Sequence, residues 1–493
     1  MRATLLQLSI QSLSYGSGNL SKKLLAFLLL PIYARYLSPE DYGIISTVGI
    51  IAFLAGTILS LKQDAAVLRL YYDYRDSEEG LRKYLGTVMI LVASFAFFAA
   101  LFLSLSGRPL FDLLLSGFPF PFVLYGLWIG VFTGLSLIPM MLLRVREQAF
   151  RFALLQVASF LVTAALIIYF VVYRREGALG QVKGMLFGTA AFFAIYLSFL
   201  VKEVRLGFSF RHAKETILYG LPLIPQGIAE WVIGGSDRFF LVNYSSLTSV
   251  GLYSLGYTLG SAVNVFIFSI QQALGPFFFS TASNQEEAEK VLPRIATYFT
   301  LAVSFVVIIV SIFAREVITV MADPHYLRAS VIVPIIASLY LFRPLALFAS
   351  YGILYRKRPS LLVLNILISA ALNLILNFLL IPPYGMMGAA FATWITYAVD
   401  AGMALWWAQQ IYPLAHEYGR LGKIFLFSGI IIGAGILIHL ESLWLTIAVK
   451  LSLVIGYPLL LSVGGFFNGQ EISALWGVVK RDRIGSQMAG KSA

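Results

Sequence analysis

The chain has 493 residues, of which 59% are hydrophobic and only 12% charged, and its mean hydropathy is +0.84. A soluble domain carries about 25% charge, so this composition excludes a soluble globular protein and defines a polytopic membrane protein. The absence of cysteine excludes disulfides, thiolate metal sites and cysteine nucleophiles, and the net charge of +12 is read as cationic cytoplasmic loops rather than a nucleic-acid surface.

About 20 apolar residues cross the hydrocarbon of a bilayer. In chain order, runs that meet this requirement predict fourteen transmembrane helices at about 10–36, 43–68, 85–107, 121–143, 152–173, 184–201, 216–243, 250–276, 295–313, 331–354, 361–381, 388–409, 423–440 and 443–466. The first apolar run leads directly into a span, so no cleavable signal is expected. An even number places both termini on one side. Of the 36 Lys and Arg, twenty-three fall on the terminal segments and loops of the amino-terminal face, seven on the opposite face and six inside spans. The positive-inside rule therefore places both termini in the cytoplasm. No loop is long enough to hold a catalytic domain. Arg108–Phe120 is expected to be a short amphipathic segment, and Arg315–Ser330 a second short connection, both on the opposite face.

The six cations inside spans are Lys22, Lys23, Lys62, Arg238, Arg343 and Lys450. Each costs about 2.5–3.5 kcal/mol at mid-membrane unless it is paired, hydrated or able to snorkel. Lys450 is expected to snorkel. Lys22 and Lys23 lie more than a dozen residues from either end of their span, beyond Gly16 and Gly18, which loosen the helix. The acids inside spans are Asp64, Glu230, Asp237 and Asp400. Pairing of Lys62 or Arg69 with Asp64, and of Arg238 with Asp237, still leaves a positive interior, which suits an anionic cargo. Lys22, Lys23, Arg238 and Arg343 are the candidate cargo ligands. Lys62, Asp64, Glu230, Asp237 and Asp400 are candidates for pairing or for coupling to protons or sodium.

The seventh span, within Thr216–Tyr244, concentrates these features. Pro222 and Pro225 interrupt its hydrogen-bond ladder, and at membrane depth the freed backbone groups need protein or a water-filled cavity. Pro222 and Pro225 are therefore hinge candidates, with Gly16 and Gly18 as counterparts in the first span. A local Asp237–Arg238 pair near the outer face is the plainer alternative for its charges. The four histidines (His212, His325, His416, His439) show no ligand spacing, so neither a metal nor a cofactor is expected. Gly16-Ser17-Gly18 follows no strand and is not a dinucleotide loop.

An internal repeat runs at an offset near 204 residues. Tyr15-Gly16 corresponds to Tyr219-Gly220, Gly43–Ser46 to Gly251–Ser254, and Gly184–Thr189 to Gly388–Thr393. A six-span repeat keeps its orientation, so the halves should be related by an axis along the membrane normal. The resulting organisation is an all-α protein with residues 1–210 as one six-helix lobe and 211–413 as the other. Residues 414–466 then form two extra helices, and 467–493 a basic tail in the cytoplasm.

Three stretches carry a family resemblance: KKLLAFLLLPIYARYLSPEDYGIIS (Lys22–Ser46), the pair YGLPLIP and SDRFF within Tyr219–Phe240, and NLILNFLLIPPYGMMGAAFAT (Asn373–Thr393). Together they resemble polysaccharide-transport flippases of the O-antigen type. These belong to the superfamily that also holds the lipid II flippase and the multidrug and toxin extruders. The resemblance implies two lobes in a V. It also implies export of a polyprenyl-diphosphate-linked oligosaccharide across the inner (cytoplasmic) membrane, a polymerase or ligase as downstream partner, and a groove for the lipid tail at the last two helices. A cation-coupled drug or toxin antiporter of the same superfamily is the competing expectation. A glycosyltransferase or other enzyme is disfavoured, because no outer loop is large enough for an acid–base site.

Overall fold

The computed structural model describes residues 30–201, 204–205, 207–467 and 471. Among the described residues every regular element is helical. Gly16, Gly18, Lys22, Lys23 and most of the first expected span lie outside the described residues. Below, the face bearing the loops near residues 75, 147, 283 and 357 is called the basic face, and the other the far face.

A helical stretch over residues 30–36 ends at the far face, and α1 (Pro39–Leu59) starts back across. Its start is set by a capping box: the Ser38 hydroxyl accepts from the Asp41 amide, and the Asp41 carboxylate accepts from the Ser38 amide at 3.0 Å. The crossing is broken at Ser60–Lys62, where Leu61 and Lys62 have positive φ, and resumes as α2 (Gln63–Tyr74). Then follow α3 (Glu78–Ser106), the short far-face α4 (Arg108–Leu114), α5 (Phe120–Val145), α6 (Ala149–Ile168) and α7 (Gly177–Val201).

The second half starts with α8 (Phe210–Gly220), a single tight turn over Leu221–Leu223, and α9 (Ile224–Tyr244). The sequence expects an interruption at Pro222 and Pro225, and this turn is where the helix tightens. Next come α10 (Leu247–Gly260) and α11 (Val263–Thr281), which together make one crossing broken at Ser261–Ala262. This parallels the break between α1 and α2. The helices α12 (Gln285–Ile312), α13 (Ala314–Met321), α14 (Ile332–Leu339) and α15 (Arg343–Tyr355) lead to α16 (Pro359–Ile411).

Fifty-three helical residues would extend about 80 Å, far beyond a bilayer of ~30 Å, so α16 must fold back. It does so after Pro382 and Pro383 at Gly385, whose φ of +54° with ψ of −130° suits only a residue without a side chain. Asn365 and Asp400, 35 residues apart, then meet across the hairpin. The expected eleventh and twelfth spans are its two arms. The chain ends its described course with α17 (Tyr418–Leu437) and α18 (Leu443–Val463).

Among the described residues twelve helical stretches are long and apolar enough to cross a membrane, and the hairpin supplies two crossings from one of them. The protein is thus a multi-span membrane protein. The matched glycines of the repeat both pack closely: a Cβ on Gly184 would lie 2.7 Å from the Ile167 side chain on the preceding crossing, and one on Gly388 2.0 Å from the Leu380 carbonyl oxygen on the preceding arm of the hairpin. The turns at Glu147 and Lys357, both with positive φ, close two equivalent hairpins at the basic face. Apolar packing forms one large cluster in the second half, around Phe278, Phe348 and Tyr457. The first half has two smaller ones, around Tyr84 and Val48.

Candidate transport site

The two halves meet along the broken crossings. At the far face α1 crosses α10 with glycine against backbone. A Cβ on Gly43 would lie 2.0 Å from the Leu247 carbonyl oxygen, and one on Gly251 1.8 Å from that of Pro39. One turn further on, the Ser46 and Ser254 hydroxyls are 2.7 Å apart. Gly43/Gly251 and Ser46/Ser254 are the matched positions of the repeat, so the pseudo-axis passes through this contact. Around it, Tyr326 donates to the Leu37 carbonyl at 3.0 Å and Asn243 to that of Leu114 at 2.7 Å. The far face is closed.

Toward the basic face the contact between halves runs through α8. Gln63 donates to the Thr216 carbonyl at 3.2 Å, and the Thr216 hydroxyl donates back to the Gln63 carboxamide. Tyr74 donates to Glu215 and stacks on Tyr84 at 4.8 Å, with His212 edge-on. Gly220 packs where a Cβ would meet the Leu61 carbonyl at 2.5 Å, so the break in one crossing rests on the break in the other. Beyond the hinge, α9 turns to α16 and packs on the second half. The Pro222 and Pro225 segment therefore divides a part of the crossing held by the first half from a part held by the second.

Of the cations expected to form one cavity, Lys22 and Lys23 lie outside the described residues, and of the other two Arg343 lines an open cavity. It sits just past a tight turn over Tyr340–Phe342. The cavity, about 550 Å³, is also lined by Gln226, Glu230, Tyr397 and Asp400. Its described charged lining is one arginine and two carboxylates, so among the described residues it is mixed in charge rather than cationic. Asp400 is held by Asn365 at 2.7 Å and Ser369 at 2.9 Å. Glu230 accepts from Gln226 at 3.2 Å.

Arg238 is elsewhere. It is buried with Asp237 in an ion pair of 2.8 Å, donates to the Gly234 carbonyl, and lies over the rings of Tyr257 at 4.4 Å and Tyr253 at 4.9 Å. Tyr253 donates to the other Asp237 oxygen. This is the local pair of the plainer reading, although deep in the second half rather than exposed to an aqueous path. Lys62 extends from its left-handed backbone to Gly227, where a Cβ would lie 2.9 Å from its Nζ.

Two expectations are corrected. Lys450 does not snorkel: it is 1% exposed, pairs with Glu316 at 2.6 Å and donates to the Ile312 carbonyl at 2.8 Å. Glu316 was expected in a surface connection, but α13 folds under α18 and carries it inside. Asp64 pairs with neither Lys62 nor Arg69. Arg69 instead takes Asp73 one turn on, at 2.7 Å, because i and i+4 share a helix face. One Asp64 oxygen is buried without a hydrogen-bond partner.

Sequence reasoning also missed a buried polar ladder. Asn377 donates to Ser236 at 3.1 Å and to Asn373 at 3.0 Å, and Asn373 donates to Thr396 at 3.2 Å. It ties α9 to both arms of α16. The signal was available: Asn365, Ser369, Asn373 and Asn377 recur every fourth residue and so form one stripe on a helix.

Comparison with known proteins agrees with this arrangement. A family model described as "Polysaccharide biosynthesis protein" matches residues 11–282, more than half of the chain, and the chain belongs to that family. It is 23% identical over 316 residues to Lsg locus putative protein 1 of Haemophilus influenzae, covering 62% of this chain and 75% of that one. It is 21% identical over 241 residues to the probable low-salt glycan biosynthesis flippase Agl15 of Haloferax volcanii, covering 48% of this chain and 51% of that one. The fold is similar to a structure titled "Lipid II flippase MurJ, inward closed conformation", with TM-score 0.71, 14% identity and 90% and 97% of the two chains covered. It is also similar to an inward-facing multidrug resistance transporter of the MATE family, with TM-score 0.62, 16% identity and 85% and 98% covered. The fold is thus shared with these membrane transporters.

Proposed function

We propose that the protein is a flippase. It moves a polyprenyl-diphosphate-linked oligosaccharide from the cytoplasmic to the outer leaflet of the cell membrane, for surface polysaccharide assembly, and a polymerase or ligase then consumes the product. Both termini lie in the cytoplasm, so the basic face is the loading side and the closed far face the release side. Residues 1–210 and 211–413 act as two lobes that rock about the α1–α10 crossing and the Pro222/Pro225 hinge. Residues 414–466 flank the second lobe, and 467–493 form a cytoplasmic tail.

The family match over residues 11–282 carries this reading. The chemistry supports it. A diphosphate diester bears about two negative charges and crosses hydrocarbon only along a cationic, hydrated path. Lys22, Lys23 and Arg343 are the proposed ligands. Arg238, neutralised by Asp237, serves instead to hold α9 against α10. With the cell interior negative, outward movement of two charges gains about 2.3 kcal/mol per charge per 100 mV. Glu230 and Asp400, beside Arg343, are the proposed carriers of any coupling proton or sodium ion.

The test is gene deletion followed by identification of the lipid-linked sugar that accumulates inside, and complementation with Lys22→Glu/Lys23→Glu and Lys22→Gln/Lys23→Gln. The glutamate pair should abolish export far more completely than the glutamine pair at equal amounts of inserted protein. Undiminished export by both overturns the reading. Cysteines at Ser283 and Ser360 should be shielded from an impermeant thiol reagent outside, whereas one at Ser246 should react. A cation-coupled drug antiporter is the second reading, favoured by the two carboxylates in the cavity. It predicts that the glutamate pair preserves or improves cation export.

A further inference from the structure

Away from the broken crossings, a second cavity of about 470 Å³ opens at the basic face of the first half, among α5, α6 and α7. Its walls are Pro139, Leu142, Leu143, Leu154, Leu155 and Phe199, and its rim carries Arg146, Gln148 and Arg151. No carboxylate lines it among the described residues. Pro139 lies seven residues before Arg146, so the apolar wall descends about 10 Å along the helix from the rim.

Local backbone explains the arrangement. Glu147 adopts positive φ and reverses the chain within three residues, which brings the end of α5 and the start of α6 side by side. Arg146 and Arg151 then flank one opening, and Arg151 donates to Gln148 at 3.2 Å. Phe150, 77% exposed next to Arg151, points away from the protein at the level where crossing helices end. Aromatic and basic side chains at that level belong to the membrane interface. The cleft thus has the two parts of a membrane lipid's complement: an apolar slot at acyl-chain depth and paired guanidiniums at phosphate depth.

We propose that this cleft binds an anionic phospholipid of the cytoplasmic leaflet, one acyl chain in the slot and the phosphate between Arg146 and Arg151. The occupant is a resident bilayer lipid, not the transported glycolipid. The slot is walled by the first half alone, away from the Arg343 cavity and from the α1–α10 crossing. It is also too small for a polyprenyl chain with its sugar. Basic pockets between membrane helices on the cytoplasmic side recognise anionic headgroups in this way. The proposal does not depend on the identity of the exported sugar.

The experiment is native mass spectrometry of the full-length protein, delipidated in detergent and titrated with phosphatidylglycerol or phosphatidylcholine of matched chains. The expected preference for phosphatidylglycerol is about thirtyfold, which is ~2 kcal/mol and is what two cationic side chains at an anionic headgroup give. Arg146→Gln/Arg151→Gln should reduce that preference to within about threefold of unity. Leu143→Trp, which fills the slot and keeps both arginines, should weaken both lipids alike. Thermal melting in detergent identifies any variant that fails to fold, and Leu155→Trp then takes the place of Leu143→Trp, or Arg151→Gln alone that of the double variant. Equal binding of the two lipids by the native protein overturns the proposal, as does a preference untouched by the arginine changes. One-for-one displacement of phosphatidylglycerol by a polyprenyl diphosphate also overturns it, because the cleft then belongs to the transport path.

Discussion

The two halves meet at both faces, but by different means. At the far face the contact is broad and made of backbone. Gly43 and Gly251 let α1 and α10 cross with no side chain between them, and hydrogen bonds from Tyr326 and Asn243 seal the surroundings. At the basic face it is narrow and made of side chains: Gln63 with Thr216, and Tyr74 with Glu215. A glycine crossing has no intermediate spacing to relax into, so it behaves as a latch. Side-chain contacts give way gradually. On the proposed transport cycle, the far face should then open as a unit, while α8 should stay with the first half and the Pro222/Pro225 turn should take up the movement.

Covalent closure of the latch should have the largest effect. With Ser46→Cys and Ser254→Cys in this cysteine-free chain, the side-chain termini, 2.7 Å apart as hydroxyls, lie near disulfide range. Oxidation should reduce export to background, and reductant should restore it. Export that persists in the fully cross-linked protein removes the latch from the cycle. Next in size is Gly251→Leu, which drives a side chain into the Pro39 carbonyl. Overpacking of this kind costs about 1–3 kcal/mol, taken here from the closed state alone. A cysteine at Ser249 should then label faster from outside, while the amount of inserted protein stays near normal.

At the basic face, Tyr74→Phe removes one hydrogen bond worth about 1 kcal/mol. Export should fall only a few-fold, and labelling at the far face should not change. An effect as large as that of Gly251→Leu would erase the contrast between the junctions. The smallest effect is expected in a loop remote from both. Burial holds the His416 imidazole below its ordinary value, so the unfolded chain takes up that proton first. Its contribution to stability is complete above the ordinary histidine value of about 6.5 and is lost as pH falls through the lower, folded value. Melting temperature should drop with acidification in the native protein, and less steeply in His416→Gln.

Where polarity is expensive, the sequence was informative. Charges are few at membrane depth, so most crossings and the interruption at Pro222 and Pro225 were legible before any fold was known. The repeat was legible through Gly43–Ser46 and Gly251–Ser254, but that these segments touch each other was not, since a repeat says nothing about where its copies meet. Lys450 illustrates the same limit. Its position in a span was plain, whereas its partner Glu316 lies 134 residues away on a helix that read as a surface connection.

The sequence by itself thus determined a multi-span, helical membrane protein and most of its intramembrane charges, though not Glu316. Hydropathy and helix breaking are properties of single segments, and segments fold into the bilayer largely one by one. Only the tertiary structure decided which charges neutralise each other and which line a cavity. Lys450 is neutralised by Glu316, 134 residues away, while Arg343 faces open space beside Glu230 and Asp400. The reason is physical. At membrane depth the energy of a charge is set by whatever lies within a few ångströms of it, and helix packing, not the local run of residues, supplies those neighbours.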